Sequence, residues 1–359
     1  MDAIRRAASL FRSGAHKEAT AALAEAQSIP SPEIVHIGTQ LLQEVVPDDS
    51  CYVPFYAARV VRGAVIRDWS CHWKASSQDI LAFTANFLTT RAADLVLPSN
   101  KPLLSEMATL WAVVWKLQCA EGDDSTPQFE ALRAAVIGLL QLVDTADTGD
   151  MLSMRIIVRV VLLNLVEEFG LYQAQSHTRV LALSAHERCR KGFKDIILLP
   201  LTQHCFQWGL MMDVENEKSA TALIQLWYSL LCWNFSNSAI GVSSSTADRI
   251  PDILSCEGDG WQYLYGRCGV VHPGSGATVH VLEILGNWVS GFLHQTSGSA
   301  QEALQLTLQC VLQLTGLTAA EWPIELRFAH YDLQRSCACV SHVCGSKADR
   351  VRTITAIAQ

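Results

Sequence analysis

Residues 52–69 of this chain read YVPFYAARVVRGAVIRDW, and the pattern of this stretch decides the fold. On a helix with 3.6 residues per turn, its apolar side chains fall on almost every side. The two-residue alternation that is typical of a half-buried strand is missing. A helix that is apolar all round must be covered by neighbours on more than one side, as it is inside a stack of helices. The stretch therefore predicts an all-α protein built from stacked helices.

The same periodicity continues along the chain. Residues 100–120, 126–146 and 217–235 each place their apolar side chains on one face of a helix of about five turns. Gly170 and Gly192 are predicted helix stops, because glycine accepts the left-handed conformation that often follows a helix. These segments predict long helices separated by short connections.

Start signals divide the chain into consecutive helix pairs. Ser31-Pro32 and Ser125-Thr126-Pro127 each place a capping hydroxyl before a proline, which fits the first position of a helix. The predicted pairs are 15–27 with 31–45, 52–71 with 76–93, 100–120 with 126–145, 150–169 with 176–191, and 193–212 with 217–235. A new pair begins about every 40 to 50 residues, which is the period of HEAT and armadillo repeats. The predicted fold class is therefore an all-α, α-α superhelix, a HEAT- or armadillo-like solenoid.

Composition divides the chain into four parts. Residues 1–235 are predicted to form the N-terminal HEAT-like hairpins. Glycine, serine and proline are frequent in 236–277, which predicts a loop-rich insertion. Helical periodicity resumes in 278–344, which predicts further HEAT-like helices. Residues 345–359 carry no strong apolar face and are predicted to form a poorly structured tail.

The charge and the cysteine content narrow the classes of function. The formal net charge is -8, with 27 basic residues dispersed among 35 acidic ones, which argues against general binding to nucleic acid. The same charge favours basic protein partners through long-range attraction. The cysteines are irregularly spaced, which indicates reduced thiols in a cytosolic or nuclear protein rather than a disulfide framework.

Neither a membrane span nor a targeting presequence is expected. The most apolar run, 156–166, is too short to cross a bilayer and contains Arg159 and Asn164. Residues 1–28 are rich in alanine and arginine, but they also carry acidic residues, which mitochondrial presequences avoid. We interpret them as an ordinary amphipathic helix.

No arrangement of residues in the sequence predicts an enzyme. The sequence contains no nucleophile elbow, no glycine-rich phosphate loop and no zinc-protease helix motif. Cys337, Cys339, His342 and Cys344 lack the paired spacing of a zinc site, and we interpret them as buried thiols. The acidic residues within 121–124 are interpreted as a solvated loop. We therefore expect no catalytic residue, no metal and no cofactor.

One basic cluster has two interpretations. Arg188, Arg190, Lys191 and Lys194 flank Gly192 near the end of a predicted helix. They are either a solvated helix end that the helix dipole stabilises, or a contact patch for an acidic partner.

Four segments resemble, in order, helices of the karyopherin exportins. Residues 55–69, FYAARVVRGAVIRDW, resemble the second HEAT hairpin of that family, where an aromatic residue, an alanine pair and an acidic–tryptophan doublet occur at this spacing. Residues 162–169, LLNLVEEF, resemble its L-L-x-E-F helix end, and 230–235, LLCWNF, resemble a later helix that ends in Trp-Asn-Phe. Residues 304–317 fit a subsequent helix. The resemblance is closest to the exportin-4 and exportin-7 branch of the importin-β superfamily, and it covers most of 15–320, as expected of an N-terminal portion.

The resemblance implies a nuclear transport receptor. Such a protein binds Ran in its GTP state together with protein cargo, contacts nucleoporins, and shuttles between nucleus and cytoplasm, with no membrane insertion and no direct contact with nucleic acid. In the family, the second helices of the first hairpins face Ran, and here those helices are 31–45, 76–93 and 126–145. The polar residues expected to contact Ran or another partner are Glu33, Gln40, Glu44, Asp79 and Asn86.

Two other functions are open from the sequence. A HEAT-repeat scaffold or adaptor subunit of a non-transport complex would hold a constitutive partner and would not respond to the nucleotide on Ran. An α-helical enzyme would bind a metal or show turnover that depends on Cys337 or Cys344. The order of the four resembling segments favours transport.

Overall fold

The computed structural model describes residues 1–44, 51–121, 126–145, 151–171 and 173–198, with a few scattered residues between 200 and 335. The chain divides into two compact units, Met1–Ile197 and Leu198–Gln359. Every regular element within the described ranges is helical. The predicted all-α class is therefore confirmed for this part of the chain, and the predicted segments 236–277, 278–344 and 345–359 lie almost wholly outside the described residues.

The described elements are ten α-helices and three short helical turns. The α-helices are α1 Asp2–Arg12, α2 His16–Gln27, α3 Ser31–Gln43, α4 Tyr52–Arg67, α5 Ser77–Thr90, α6 Ala92–Leu95, α7 Lys101–Cys119, α8 Thr126–Thr145, α9 Met151–Gly170 and α10 Leu183–Phe193. The short turns are π-helical at Trp69–Trp73 and Lys194–Leu198, and 3-10 at Pro98–Asn100.

Most predicted helices are present, and the chain differs from prediction at its first helix. The predicted helix 126–145 is present as α8, which fills its described range, and Gly170 is the last residue of α9, as predicted. The predicted helix 15–27 is confirmed as α2. The interpretation of residues 1–28 as one helix is wrong, because α1 precedes α2 and the chain turns between them at Gly14, whose φ of 82° lies in the left-handed region. Phe11, at the end of α1, then packs edge-on against Tyr56 of α4.

Helices α4 and α7 are covered on several sides, as the apolar pattern of residues 52–69 predicts. Helix α4 packs on α3 and on α7, and α7 packs in turn on α9 and α5. Almost every residue of α7 from Leu103 to Cys119 is buried. Burial of each large aliphatic side chain contributes about 1.5–3 kcal/mol, so these central helices supply much of the stability of the first unit.

At the start of the chain, the helices that pair in the structure are shifted by one helix from the predicted pairs. Helix α2 packs mainly on α1 rather than on α3, and α3 packs on α4 more closely than α5 does. The close approach of α3 and α4 has a local cause at Gly38. A Cβ atom there would lie 3.3 Å from the carbonyl oxygen of Ala57 and would collide with the side chain of Val61. The glycine lets the two backbones meet, and this contact outweighs the pairing of sequence neighbours 15–27 with 31–45.

Gly192 does not end a helix, contrary to prediction. Helix α10 continues to Phe193 and passes directly into the π-helical turn. A Cβ atom on Gly192 would lie 2.6 Å from Cζ of Phe129, closer than real Cβ contacts. The Phe129 ring is buried against Phe169, which stacks on Phe193 at 4.7 Å between ring centroids. Gly192 is therefore a packing position that lets α10 approach α8.

Replacement of Gly192 by alanine tests this packing role. We expect G192A to lower the free energy of local unfolding of α8 and α10 by about 1–3 kcal/mol, because the methyl group has no space beside Phe129. Hydrogen exchange measured by mass spectrometry on peptides from these helices reports that free energy. The matched control is G138A on α8, where a Cβ meets no atom within 4 Å and alanine gains about 1 kcal/mol of helix propensity. Equal effects of the two variants would contradict the packing role.

Candidate functional site

The residues predicted to contact a partner lie on α3 and α5. Glu33 and Gln40 are exposed on α3, and Glu44, which follows α3, is half-buried. Asp79 and Asn86 are exposed on α5. The structure therefore leaves four of the five side chains on the surface of the first unit.

Helices α3 and α5 are linked at both ends and run in the same direction. Trp73, in the π-helical turn that precedes α5, donates its indole N–H to Oγ of Ser31, the first residue of α3, at 2.8 Å. Arg91, the residue after α5, donates its guanidinium N–H to the carbonyl oxygen of Gln43, the last residue of α3, at 3.4 Å. Glu33 and Asp79, each in a first turn, thus lie at the same end of the pair.

Ser31 has a different role from the predicted helix cap. Its hydroxyl donates to the carbonyl oxygen of Ala64 in α4 at 3.1 Å while accepting from Trp73. The serine is buried, and it is the first residue of α3 rather than the residue before it. Ser31 therefore fixes the start of α3 to its neighbours instead of capping the first turn.

Two of the predicted residues already have side-chain partners. Glu44 forms an ion pair with Arg5 at 2.7 Å, and the amide of Gln40 lies 2.9 Å from the ring of His36. Both interactions are exposed, and an exposed ion pair contributes only about 0–1 kcal/mol. Within the described ranges, the side chains of Glu33, Asp79 and Asn86 have no such partner, so these three are the most available for binding.

A buried ion pair that sequence reasoning missed lies at the centre of the first unit. Lys116 of α7 and Glu168 of α9 are 3.3 Å apart, and their side chains are 0% and 1% exposed. Lys116 Nζ also donates to the backbone oxygen of Glu168 at 2.5 Å. A signal was present in the sequence, because Lys116 and Glu168 each stand beside long apolar runs of their helices, and buried charges require a partner.

Glu168 binds the turn that follows α9. Its Oε1 accepts hydrogen bonds from Ser176 Oγ at 2.5 Å and from the hydroxyl of Thr178 at 2.8 Å. Its Oε2 accepts from the backbone N–H of His177 at 3.1 Å and from the ring Nδ1 at 2.8 Å. We call Lys116, Glu168, Ser176, His177 and Thr178 the Glu168 anchor.

The Glu168 anchor explains an error in the predicted secondary structure. The predicted helix 176–191 begins only at Leu183, as α10. The hydroxyls of Ser176 and Thr178 bind the carboxylate, and serine and threonine favour such local alternatives over a helix interior. A contact with a residue of another helix thus overrides the local helical pattern.

The Glu168 carboxylate is ionised despite its burial. Burial acts to raise its pKa, but hydrogen bonds from His177, Ser176 and Thr178 and the charge of Lys116 outweigh that effect and hold the pKa well below its usual range. Nearby, burial lowers the pKa of His186, and the charge of Lys116 lowers it further, so that its neutral ring donates from Nε2 to the Thr178 carbonyl. Burial also raises the pKa of Cys189 to about 11, which keeps this residue a thiol.

The Glu168 anchor contains a serine and a lysine, as catalytic serine–lysine pairs do, but a substrate cannot reach the serine. Lys116 Nζ lies 3.0 Å from Ser176 Oγ, within reach for proton transfer. The Ser176 hydroxyl is committed to Glu168, and the residue is 3% exposed. A substrate carbonyl cannot approach this oxygen, so we assign the cluster to holding the turn in place.

A cleft lies between α4 and the turn that the Glu168 anchor holds. Ser176 and Thr178 point inward, whereas Gln175, His177 and Arg179 are exposed. The cleft has a volume of about 330 Å³, and we call it the α4 cleft. Its lining includes Gln27, Arg59, Arg62, Gly63, His177 and Arg179.

The remaining candidate clusters give no site within the described part of the chain. The search for three or more histidine, cysteine or acidic residues able to hold a metal found none among the described residues. The predicted thiols Cys337, Cys339 and Cys344 lie outside them, with His342. Glu121 accepts hydrogen bonds from Trp69 and Lys74, both at 2.8 Å.

The basic cluster near Gly192 includes a contact with a helix end. The guanidinium of Arg188 donates to the carbonyl oxygen of Ala120, the residue that follows α7, at 3.3 Å. A cation at the carboxyl end of a helix is stabilised by the helix dipole. Arg188 thus stabilises the end of α7, a role that neither interpretation of the cluster predicted.

No model of a protein family matches the chain, and no curated protein matches it. Among the helices that the structure describes, none has the length and apolar character required to cross a bilayer.

Replacement of Glu168 by glutamine tests the importance of the buried pair. We expect E168Q to lower the local unfolding free energy of α7 and α9 by about 3–5 kcal/mol, because it leaves Lys116 buried without a counter-charge. Hydrogen exchange on peptides from the two helices measures this change. The matched control is E130Q, which removes an exposed pair with Arg133 and is expected to change stability by at most about 1 kcal/mol. Similar small effects of both variants would show that the buried pair is not needed.

The lowered pKa of Glu168 predicts loss of stability in acid. A depressed folded-state pKa contributes stability that is present above the unfolded-state value, near 4.5, and is lost as pH falls through the folded-state value. We expect exchange protection of α9 to fall as the pH is lowered below about 4.5 in the wild type, and to fall less steeply in E168Q. Parallel curves for the two proteins would assign the acid sensitivity to other carboxylates.

Proposed function

We propose that this chain is a solenoid of helical hairpins that binds other proteins, and that it serves as a nuclear transport receptor of the exportin type. The observation that best supports the proposal is the linked pair α3 and α5, which run in the same direction and expose Glu33, Asp79 and Asn86. The exportin-like sequence segments, which include α4 and the end of α9, add to that support.

The order of helix contacts supports the solenoid. Helix α4 packs on α7, α7 packs on α9, and α2 also contacts α4, so that neighbours along the chain stack in succession. Helix α3 packs against α4, α5 packs against α7, and α8 packs against both α7 and α9. A repeat array has this pattern, since each hairpin buries its apolar face only against its neighbours.

The proposed activity requires binding but no chemical step by this chain. Ran in the GTP state would occupy the α3 and α5 surface, and protein cargo would bind elsewhere along the array. If each partner binds more tightly in the presence of the other, the coupling is reciprocal. Hydrolysis of GTP on Ran in the cytoplasm would then release the cargo. Contacts with nucleoporins would carry the complex through the pore.

The proposal is tested by capture of Ran. The chain is immobilised and incubated with Ran locked in the GTP state and, in parallel, with Ran in the GDP state. We expect selective capture of the GTP form. Equal or absent capture by a folded, monodisperse sample would reject the receptor function and favour a constitutive scaffold.

Charge reversal locates the surface that Ran would contact. We expect E33K and D79K each to weaken Ran-GTP binding about tenfold, or roughly 1.4 kcal/mol, because both side chains are exposed at one end of the α3 and α5 pair. The matched control is E18K, the same substitution at an exposed position of α2. Titration calorimetry measures the three affinities. An equal loss in E18K would show that net charge, rather than this surface, controls binding.

A further inference from the structure

The α4 cleft concentrates positive charge in a chain whose net charge is negative. Three of the residues that line it are arginines, Arg59, Arg62 and Arg179, and none of the described residues that line it is acidic. The formal net charge of the chain is -8, so a cleft of this composition does not reflect the average surface. A concave site with one sign of charge focuses the electrostatic field and attracts ligands of the opposite sign.

The three arginines are not equally available. Arg62 is largely buried, and its Nε donates to Glu106 of α7 at 2.5 Å, which fixes the side chain and balances its charge. Arg59 and Arg179 are exposed, and neither has a carboxylate partner among the residues that the structure describes. The cleft therefore presents about two uncompensated positive charges.

From this arrangement, we propose that the α4 cleft binds a phosphate monoester on a serine or threonine side chain of a partner protein. Such a group carries close to two negative charges at neutral pH, which matches Arg59 and Arg179. It also has three acceptor oxygens, and guanidinium groups bind phosphate through paired hydrogen bonds. A carboxylate offers one charge and two oxygens, so it would leave part of the site unmatched.

The size of the cleft fits a phosphorylated side chain. A volume of about 330 Å³ holds about ten water molecules, more than a bare phosphate displaces. Gly63 keeps the floor of the cleft open, since a Cβ there would meet only Nε2 of Gln27, at 3.8 Å. The stem that links a phosphate to a peptide backbone therefore has space beside α4.

The Glu168 anchor pre-organises one wall of the cleft. It holds the backbone on both sides of His177 through Ser176 and Thr178, and Arg179 follows directly. Gln173 Nε2 also donates to the carbonyl oxygen of Leu181 at 2.5 Å, which closes the turn. Because these residues are fixed before a ligand arrives, binding does not have to pay for ordering the turn.

The inference that the phosphate belongs to a partner protein rests on the protein-binding function proposed above, but it does not require that the partner is Ran.

The probe is a fluorescein-labelled seven-residue peptide, phosphoserine flanked by three alanines on each side, and the reference is the same peptide with unmodified serine. Fluorescence anisotropy with the full chain measures both. We expect the phosphopeptide to bind at least tenfold more tightly than the reference. Equal binding of the two peptides would overturn the proposal.

Three variants assign any binding to the cleft. R59A and R179A are each expected to weaken phosphopeptide binding about tenfold, whereas R133A, which removes an exposed arginine on α8, is expected to have no effect. G63V fills the floor without changing the charge and is expected to abolish binding. Equal losses in R133A and R179A, or full binding by G63V, would place the phosphopeptide outside the cleft. Circular dichroism checks that each variant is folded.

Two further measurements separate this proposal from its alternatives. Inorganic phosphate is expected to compete only weakly, at least tenfold less well than the phosphopeptide, and equal competition would identify free phosphate rather than a modified protein as the ligand. Capture of Ran-GTP is expected to be unchanged in R179A. If the wild-type chain captures Ran-GTP but binds the phosphopeptide no better than the unmodified peptide, the cleft proposal alone is rejected. If it prefers the phosphopeptide but does not capture Ran-GTP, the Ran function alone is rejected.

Discussion

The buried pair of Lys116 and Glu168 is the constraint on which the organisation of the first unit depends. Two helices meet there, and the carboxylate has more acceptor capacity than one ammonium group uses. The chain supplies the missing donors from residues 176–178, which fixes the turn after α9. Burial of this charge is costly unless the carboxylate has all its hydrogen-bond donors. Because residues 176–178 supply those donors, the buried carboxylate determines the position of the loop.

The position of that loop determines the shape of the α4 cleft. Within residues 175–179, Ser176 and Thr178 are buried at the carboxylate, the His177 ring both contacts Glu168 and lines the cleft, and Arg179 is exposed at the cleft. The contacts that satisfy Glu168 therefore also fix the backbone from which Arg179 extends. The opposite wall is α4, which is fixed by its packing on α3 and α7 and by the pair of Arg62 with Glu106. Stability and recognition are thus coupled: the interactions that hold the core together also set the distance between the arginines.

How far the sequence predicts this structure depends on the range of the interactions involved. Helix α8 could be predicted because its start signal and its periodic apolar face are local. The turn before α10 was missed because its conformation depends on Glu168, in another element, and the pairing of α3 with α4 was missed because it depends on a steric fit at Gly38. The α4 cleft could not be predicted at all, since Arg59 and Arg179 come together only when the chain is folded.

The two candidate surfaces differ in sign, and this difference bears on partner choice. The exposed surface of α3 and α5 carries Glu33 and Asp79 and attracts basic groups, whereas the α4 cleft attracts anions. A partner with one sign of charge is drawn to one surface and repelled from the other, so the electrostatic energy discriminates between partners as well as accelerating their encounter. Against the anionic excess of the chain, the anion is held by Arg59 and Arg179, which have no carboxylate partner among the described residues. The contact of Glu106 with Arg62 and the contact of Glu168 with the turn fix the two walls from which these arginines extend.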